Sequence, residues 1–409
     1  MSKQRPKPRS IMTIERAYLD YNASAPLRPE ALAVMSDIYA RPGNASSVHG
    51  EGRYYRKCVE AARAQVADLV AAEPDGVIFT GSATEAAHLG LTPAISSNGA
   101  ARPADKLFVL ETEHPCILAG GRFEPEQVIS VPVQSNGLAD VDGLEEILSQ
   151  HAGIIPYLAV QLANSETGIV QPVAELAKLV RLRGGYVLCD AVQAVGRMPV
   201  DIGQLGVDFL LVSAHKIGGP QGVGALICAP SALEIAPAIR GGGQEMNRRA
   251  GTENVAAIAG FGAAAALAAK EAENYLSIRA LRDSIESELH PICAAQGLAD
   301  CLTVYGADVA RIENTILFSV EGLNAETALI AFDLDGVAVS SGSACSSGKV
   351  GRSHVLQAMG VDAKSARGAI RLSLGWKSTE QDKDKFFKAF NRITRRLAEM
   401  TDMRLSGAA

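Results

Sequence analysis

Short apolar runs alternate with amphipathic stretches along most of the chain. Residues 55–71 carry apolar side chains at helical spacing, and a short apolar run typical of a buried strand follows at 76–80. Residues 172–184 repeat the helical pattern. Because strands that alternate with helices form a parallel sheet covered on both faces, the pattern predicts an α/β fold with a mostly parallel central sheet. Further strands of this sheet are predicted at 106–111, 154–162, 185–190, 208–214 and 222–229.

The pattern changes after an Ala-rich helix that is predicted at about 253–274. The apolar runs become sparser, and the stretch KFFKAFNRITRRLAEM closes the chain as an amphipathic helix. This change predicts a second, smaller α+β unit. Its strands are predicted at 314–320, 337–341 and 369–374.

Length and composition indicate a globular protein with more than one domain. The chain has 409 residues, of which 47% are hydrophobic and 21% charged, and this mixture argues against disorder. The formal net charge of −6 is too mildly acidic to indicate nucleic-acid binding through net charge. We divide the chain into an N-terminal tail (1–17), a large domain (18–265) and a small C-terminal domain (266–409).

Neither the start of the chain nor its cysteines indicate export. The basic, Pro-rich start MSKQRPKPRSIM does not lead into the apolar segment of a signal peptide. No apolar stretch approaches the roughly 20 residues that a membrane span needs. The seven cysteines are scattered without a CxxC spacing, which argues against a zinc site and a disulfide framework. The cytoplasm is therefore the expected compartment, and neither a membrane nor a nucleic acid is expected as a partner.

Polar side chains follow the predicted strands at the point where ligands of open α/β sheets bind. A lysine beside a histidine at a buried strand end suits Schiff-base chemistry, which needs an unprotonated amine. An aspartate there either pairs with the protonated ring nitrogen of a cofactor or caps the next helix, and the residues alone leave both interpretations open. These strand-end residues are His114, Asp190, Gln193, Ser213, His215 and Lys216.

The segment GSATEAAHLGL (81–91) is a Gly/Ser/Thr turn that opens a helix. Backbone N–H groups at a helix start, together with hydroxyl groups, would hold a phosphate. Taken alone, however, the segment favours a plain helix cap by Ser82 or Thr84. It matches neither the dinucleotide fingerprint nor the P-loop, which argues against nicotinamide-dependent and P-loop enzymes.

Cys345 stands in the Ser/Gly-rich segment SSGSACSSGKVGR (340–352), which has few apolar anchors and is expected to be mobile and exposed. A nucleophilic thiol that enters a pocket and also meets a partner needs such freedom, provided that its pKa is lowered. The basic segment GGGQEMNRRAGTEN (241–254) is either an anion-binding loop or a plain turn. Arg371 lies inside an apolar strand, where its partner is a carboxylate of the protein or of a substrate.

Together these motifs resemble the cysteine desulfurases of the NifS/IscS group, within the class V aminotransferase family of pyridoxal-phosphate enzymes. The resemblance runs nearly end to end, from YLDYNASAPLRPEA (18–31) and GNASSVHGEGR (43–53) to AIRLSLG. Its most specific motifs are SAHK, DAVQ, RRAGTEN and SSGSACSSG followed by SHVLQAMG. It implies fold type I of the PLP-dependent transferases, with a seven-stranded sheet in the large domain and the reactive cysteine in the small one.

The resemblance also implies a role for each candidate residue. It places pyridoxal 5′-phosphate (PLP) on Lys216, Asp190 against the pyridinium nitrogen, and His114 on the ring as a stacking and proton-transfer group. It makes Cys345 the sulfur acceptor, and it makes Arg371 the group that binds the substrate carboxylate, with Asn44 as a weaker candidate. It also implies that Gln193 and Ser165 contact the ring oxygen. The implied phosphate contacts within the same subunit are Ala83, Thr84, Ser213 and His215, and Thr252 of the partner subunit completes the phosphate site.

Two positions depart from the family's pattern. The family usually carries two asparagines before the glutamate of its N-N-E-x-G segment, and here Ser165 replaces the second. A serine can still donate a hydrogen bond to the ring oxygen. His88 stands where the family's helix often carries asparagine, and its role is unassigned. Neither departure involves Lys216, Asp190 or Cys345.

The activity implied by the resemblance is conversion of L-cysteine to L-alanine. The sulfur passes to Cys345 as a persulfide and then to an acceptor such as an iron–sulfur scaffold protein, and the implied oligomer is a homodimer. A selenocysteine lyase or another class V enzyme is the nearest alternative, although a transaminase would not need the Cys345 segment. A catalytically silent PLP-binding scaffold is an alternative from another class, and the intact Lys216 and Cys345 argue against it.

Overall fold

The structure is a computed structural model that describes residues 16–230, 233–271, 275–342 and 352–405. Its strands are β1 Ala17–Tyr18, β2 Val77–Thr80, β3 Ile95–Ser97, β4 Ala100–Ala101, β5 Lys106–Leu110, β6 Val128–Val131, β7 Pro156–Gln161, β8 Tyr186–Asp190, β9 Phe209–Ser213, β10 Gly224–Cys228, β11 Leu233–Ile235, β12 Leu302–Tyr305, β13 Thr315–Val320, β14 Val337–Ala338, β15 Ser340–Ser341 and β16 Ala369–Ser373. Its helices are α1 Pro29–Tyr39, α2 Gly50–Asp68, α3 Ala83–Gly90, α4 Pro115–Leu118, α5 Val141–Gln150, α6 Val173–Arg181, α7 Ile202–Leu205, α8 Val255–Glu271, α9 Leu276–Ala295, α10 Ala325–Leu334, α11 His354–Ala358, α12 Ala363–Arg367 and α13 Glu380–Leu405.

Seven of the described strands form a central sheet in the order β2-β10-β9-β8-β7-β5-β6. Neighbouring strands pair in parallel along the series β9, β8, β7, β5 and β6, whereas β10 is antiparallel to both of its neighbours, β2 and β9. The predicted mostly parallel sheet is therefore confirmed. The apolar pattern did not reveal β6, because this edge strand is short and only its last residue is buried.

Helices cover both faces of the central sheet, and the side chains of its middle strands alternate between two cores. In β7, Leu158 and Val160 pack into the core under α2, α6 and α8, while Tyr157 and Ala159 pack into the core under α3 and α4. Successive side chains of a strand point to opposite faces, so a strand buried on both sides reads as one continuous apolar run. This is why these strands could be predicted from the sequence.

A second, antiparallel sheet has the order β12-β13-β16-β15 and packs against α9, α10 and α13. Its core contains a cluster of aromatic rings, in which Phe386 stacks on both Phe332 and Phe390. The start of the described chain joins this part, because β1 pairs in parallel with β14. The domain boundary drawn at residues 265 and 266 stays a prediction.

Two elements differ in detail from the sequence prediction. Helix α2 begins at Gly50 rather than at residue 55, because the His49 ring accepts a hydrogen bond from the Gly52 amide and caps the helix start. The single strand predicted at 337–341 is two short strands. One of them, β14, pairs with β1, and the other, β15, pairs with β16.

Within the described ranges, no single helix is both long enough and apolar enough to cross a membrane. The helices α8 and α9 meet the criteria of length and composition only as a pair, which bends by 74° at the break between them.

Candidate active site

A cavity of about 310 Å³ opens at the carboxyl ends of β5, β7, β8 and β9. The loops after these strands contribute its walls together with the start of α3. Open α/β sheets bind their ligands at this edge, so the cavity is the candidate active site. Its lining residues are Ser82, Ala83, Thr84, His114, Cys116, Gln161, Ala163, Ser165, Asp190, Val192, Gln193, Ser213, His215, Lys216, Gln221, Gly222 and Val223.

Three of the described residues implied by the resemblance do not line this cavity. Thr252 is exposed and lines a neighbouring cavity that shares Gly222 and Val223 with the first. Asn44 is exposed, and its side-chain oxygen accepts a hydrogen bond from an amide two residues later. Arg371 is a buried residue of strand β16 in the second sheet and is described below. Cys345 lies outside the described residues. The roles of all the candidate residues remain predictions.

Lys216 lies directly after β9, in the tight turn Ala214–Lys216. Its Nζ donates hydrogen bonds to the backbone carbonyl of Asn22 at 2.5 Å and to that of Ala23 at 3.0 Å. The strand-end position of the lysine was predicted from the apolar pattern. Its carbonyl partners were not, because they lie more than 190 residues away in the sequence.

Asp190 is the last residue of β8, and its side chain is buried at the cavity wall. Burial raises the pKa of the Asp190 carboxyl, whereas the hydrogen bond from the Val192 amide and the nearby His114 and Lys216 lower it. A buried carboxylate is stabilised by a cationic partner. Asp190 can therefore hold a protonated nitrogen that enters the cavity.

His114 caps α4 and lines the cavity with its ring. The Cys116 amide donates to Nδ1 at 3.2 Å, and Sγ of the same cysteine lies 3.0 Å from Nδ1. Because Nδ1 is an acceptor, the proton of the neutral ring is on Nε2. Burial lowers the pKa of His114, as do Lys216 and His354, while Asp190 raises it. The ring is thus a neutral group with a defined tautomer.

Cys116 was not a candidate from the sequence, although it lies two residues after His114 in the strand-end segment. It lines the cavity, and burial raises the pKa of its thiol to about 12. A thiol with such a pKa is scarcely ionised at neutral pH and is a weak nucleophile. Cys116 therefore lines the cavity as a protonated thiol.

The start of α3 can bind an anion. Ser82 is the N-cap, and its Oγ accepts a hydrogen bond from the Glu85 amide at 3.1 Å, as the capping interpretation predicts. The cap does not exclude phosphate binding by the same segment, because Ala83 and Thr84 line the cavity at a helix start. Strand β10 comes close to this helix start: a Cβ atom on Gly224 would lie 2.7 Å from the Ala83 amide nitrogen.

His215 also lines the cavity. Its Nδ1 lies 3.3 Å from the Ser24 hydroxyl. Burial, together with the positive charges of Lys216 and Arg197, lowers the pKa of His215 to about 4. The ring is therefore neutral at physiological pH and can donate one hydrogen bond to an anion.

The side-chain amide of Gln193 has a fixed orientation. Arg197 donates a hydrogen bond to its Oε1, and its Nε2 donates to the Asn22 carbonyl at 3.1 Å. A flipped amide would place its N–H groups against the guanidinium and its oxygen against a carbonyl. The amide nitrogen of Gln193 is thus the donor available near the cavity.

Arg371 on β16 pairs with a carboxylate of the protein, which is one of the two alternatives left open by its apolar strand. Its Nη2 donates to Asp20 Oδ1 at 2.8 Å, and its Nη1 donates to the Ser165 carbonyl at 2.9 Å. Only 1% of its surface is exposed. Through Ser165, which lines the cavity, the guanidinium is connected to the candidate site.

Glu166 follows Ser165 and is buried where the two parts of the structure meet. Ser353, next to α11, donates a hydrogen bond to Glu166 Oε2 at 2.5 Å. Burial raises the pKa of Glu166 to about 7, although Ser353 and Arg371 lower it. The folded state therefore holds the Glu166 proton more tightly than an exposed carboxyl does.

Replacing Glu166 with Gln is expected to change how stability depends on pH. A folded pKa of about 7 against an ordinary value of 4.5 means that the contribution of Glu166 is complete below pH 4.5 and is lost as the pH rises to 7. Between pH 4.5 and pH 7, the unchanged protein should therefore lose about 3 kcal/mol of unfolding free energy relative to the Glu166→Gln variant. Denaturant unfolding at pH 5 and pH 8 measures it.

Glu111→Gln is the matched control, since Glu111 also accepts a hydrogen bond from a serine hydroxyl, that of Ser130. An equal change in both variants would show that the effect does not come from the burial of Glu166.

The chemistry of this donor set fits PLP. Lys216 supplies an amine for a Schiff base, and Asp190 supplies a buried carboxylate that needs a cationic partner. The start of α3 supplies N–H groups for a phosphate. Ser165, in place of the family's asparagine, keeps its side chain at the cavity wall. His88 is exposed on α3 and lies outside the lining.

Comparisons with known proteins identify the chain's family and fold. The family model for class-V aminotransferases matches residues 17–386. The chain is 37% identical to the cysteine desulfurase IscS of Dictyoglomus turgidum, over 93% of this chain and 95% of the relative. It is also 37% identical to an IscS-like cysteine desulfurase of Mycobacterium tuberculosis, over 90% and 93%. A NifS-like protein of Rickettsia africae superposes with a TM-score of 0.82 at 34% identity, over 92% of this chain and 99% of that structure.

Proposed function

This chain belongs to the class-V aminotransferase family, and from that premise we propose that it is a cysteine desulfurase. It converts L-cysteine to L-alanine and transfers the sulfur to one of its own cysteines. The observation that carries the proposal is the convergence of Lys216, Asp190 and His114 on one cavity. Relatives matched over nearly their whole length, and named cysteine desulfurases, support it.

The cofactor of the proposed reaction is pyridoxal 5′-phosphate. When bound, it supplies an electron sink for the charge that develops at the substrate Cα. Lys216 would hold it covalently, Asp190 would hold its ring nitrogen in the protonated form, and Gln193 and Ser165 would donate to its ring oxygen. Its phosphate would lie against Ala83, Thr84, Ser213 and His215, all of which line the cavity.

The chain's own residues then perform the proton and sulfur transfers. Lys216 Nζ takes the proton from the substrate Cα, and the neutral His114 ring assists proton transfer through Nε2. Arg371 is the proposed partner of the substrate carboxylate, with Asn44 as the weaker candidate. The Cys345 thiolate attacks the substrate sulfur, so that the sulfur–carbon bond breaks and a persulfide forms on Cys345. The bonding pair stays with the substrate Cβ, and protonation of this carbon gives the methyl group of L-alanine. The persulfide passes to an acceptor such as an iron–sulfur scaffold protein.

The proposed oligomer is a homodimer in which Thr252 of the partner subunit completes the phosphate site. The position of Thr252 in this chain supports the proposal. It is exposed and lines a separate cavity beside its own active site, so it is available to a second copy. In the same segment, Arg249 pairs with Glu85 of α3 at 2.7 Å and keeps residues 249–252 close to the cofactor cavity.

The direct test is incubation of the purified protein, loaded with PLP, with L-cysteine and a reductant. Equal amounts of L-alanine and sulfide are the expected products. A parallel incubation with L-selenocysteine compares the two substrates at equal concentration. Formation of a 2-oxo acid in place of alanine would assign the chain to transamination and overturn the proposal.

Replacing Asp190 with Asn should impair the electron sink, because an amide does not keep the ring nitrogen protonated. Loss of one partner of a buried charge pair costs about 2–5 kcal/mol, which predicts a fall in kcat of roughly 100-fold. The variant should still fold and bind PLP. Steady-state kinetics and the absorbance of the bound cofactor measure both quantities.

Asp208→Asn is the matched control for this variant. Asp208 is also a buried carboxylate whose pKa is raised by burial, and it accepts from the Val187 amide and from Arg181. It does not line the cavity. A similar fall in kcat in both variants would attribute the loss to lost stability instead of to the cofactor ring.

A further inference from the structure

The backbone carbonyl of Asn22 accepts hydrogen bonds from two side chains of the candidate site. Lys216 Nζ lies 2.5 Å from it, and Gln193 Nε2 lies 3.1 Å from it. The next carbonyl, that of Ala23, accepts a second hydrogen bond from Lys216. One turn near the start of the chain therefore determines where the lysine amine and the glutamine amide lie.

The side chain of Asn22 fixes this turn. Its Nδ2 donates to the Ser165 carbonyl at 3.2 Å and to Thr315 Oγ1 at 2.9 Å, and its Oδ1 accepts from Asn314 at 3.2 Å. The Asn22 amide donates to Ser373 Oγ at 2.9 Å. Only 1% of the residue is exposed. Because its polar groups point to different partners, the carbonyl has little freedom to move.

The same contacts connect the lysine to the proposed substrate-binding arginine. The Ser165 carbonyl accepts from both Asn22 Nδ2 and Arg371 Nη1. Lys216 follows β9 of the central sheet, whereas Arg371 lies on β16 of the second sheet. Asn22 is hydrogen-bonded to groups on both sides, so it sets the position of the amine relative to the guanidinium.

We propose that Asn22 is a positioning residue of the active site, which holds Lys216 and Gln193 through its carbonyl and aligns them with Ser165 and Arg371 through its side chain. This inference rests on the proposed function for the roles of Lys216 and Arg371. Asn22 itself does not line the cavity. Since small errors in the placement of a catalytic group reduce kcat strongly, its loss should affect turnover more than substrate affinity.

The first test uses Asn22→Ala and Thr315→Val, each in the cofactor-free protein; Thr315→Val removes the hydroxyl that accepts from Asn22 Nδ2. Trace acetylation with an amine reagent, mapped by peptide mass spectrometry, measures how freely Lys216 reacts. Loss of ordered carbonyl acceptors should raise its labelling rate by about threefold or more. Lys106, which donates to a carbonyl at the opposite end of the sheet, is the internal reference and should not change.

The second test compares kinetic constants among three variants. Asn22→Ala and Thr315→Val, which removes the hydroxyl acceptor of Asn22 without touching the cavity, should both lower kcat, by roughly tenfold for Asn22→Ala. KM should change by less than about threefold. Asn324→Ala is the stability control, since it removes the cap of α10 at a cost of about 1 kcal/mol, and its kcat should be unchanged.

Unchanged Lys216 labelling in both Asn22→Ala and Thr315→Val would overturn the proposal. An equally large fall in kcat in Asn324→Ala and Asn22→Ala would also overturn the proposal, because it would show that Asn22 acts only through folding stability. The labelling comparison needs neither cofactor nor substrate. It therefore separates a failure of this inference from a failure of the proposed desulfurase activity, which would show as absence of alanine from the unchanged protein.

Discussion

Replacement of Lys216 with alanine is expected to abolish the conversion of L-cysteine to L-alanine and to leave PLP without a covalent link to the chain. Alanine can neither form a Schiff base nor accept the Cα proton. Loss of a positioned general base alone costs about 100- to 10,000-fold in rate. Because the variant also loses the Schiff base, its rate should fall by more than about 100-fold. Borohydride reduction followed by peptide mapping should place the cofactor on Lys216 in the unchanged protein and on no lysine in the variant.

The fold should survive this replacement, because Gln193 still donates to the Asn22 carbonyl that Lys216 leaves. Lys106→Ala is the matched control: its Nζ also donates to a backbone carbonyl, that of Glu126, but it lies away from the cavity. It should keep both its activity and the reducible cofactor link. Full desulfurase activity in Lys216→Ala would exclude this lysine as the catalytic amine.

Replacement of Cys345 with serine is expected to separate cofactor binding from sulfur transfer. The variant should still bind PLP and L-cysteine, because the residues proposed for both steps lie elsewhere in the chain. It should form no persulfide and deliver no sulfur to a scaffold protein, since a serine hydroxyl does not accept sulfane sulfur. Trapping the sulfur with an alkylating reagent, followed by mass spectrometry, shows which cysteine carries it.

Cys116→Ser is the matched control for Cys345→Ser. Among the cysteines in the described ranges, Cys116 alone lines the cavity. With its pKa raised to about 12, roughly one Cys116 thiol in 10,000 is ionised at pH 8. Its replacement should therefore keep most of the persulfide formation. Sulfane sulfur on Cys116 or Cys58, with Cys345 unmodified, would contradict the proposed acceptor.

Together these two replacements distinguish the proposed enzyme from its alternatives. A transaminase would lose activity with Lys216→Ala and keep it with Cys345→Ser. A silent PLP-binding scaffold would show no alanine formation in any variant. A cysteine desulfurase requires both Lys216 and Cys345. Measurement of L-alanine and of the persulfide in each variant therefore distinguishes the three alternatives.

The sequence by itself predicted the central sheet and the strand ends that carry the site. A strand buried on both faces reads as a nearly continuous apolar run, and β7 to β9 are such runs up to the polar residue that ends each strand. The first polar residues after such runs, among them Asp190 and Lys216, are therefore conspicuous. Strand β6 escaped prediction because an edge strand with one buried residue has no such constraint.

The tertiary structure alone decided how these residues are held. The carbonyls of Asn22 and Ala23 that receive Lys216, and the Asp20 carboxylate that pairs with Arg371, come from the start of the chain. No local pattern predicts contacts between groups that are far apart in the sequence. The neutral state of His215 and the raised pKa of Cys116 likewise depend on burial, which folding creates and residue order alone does not express.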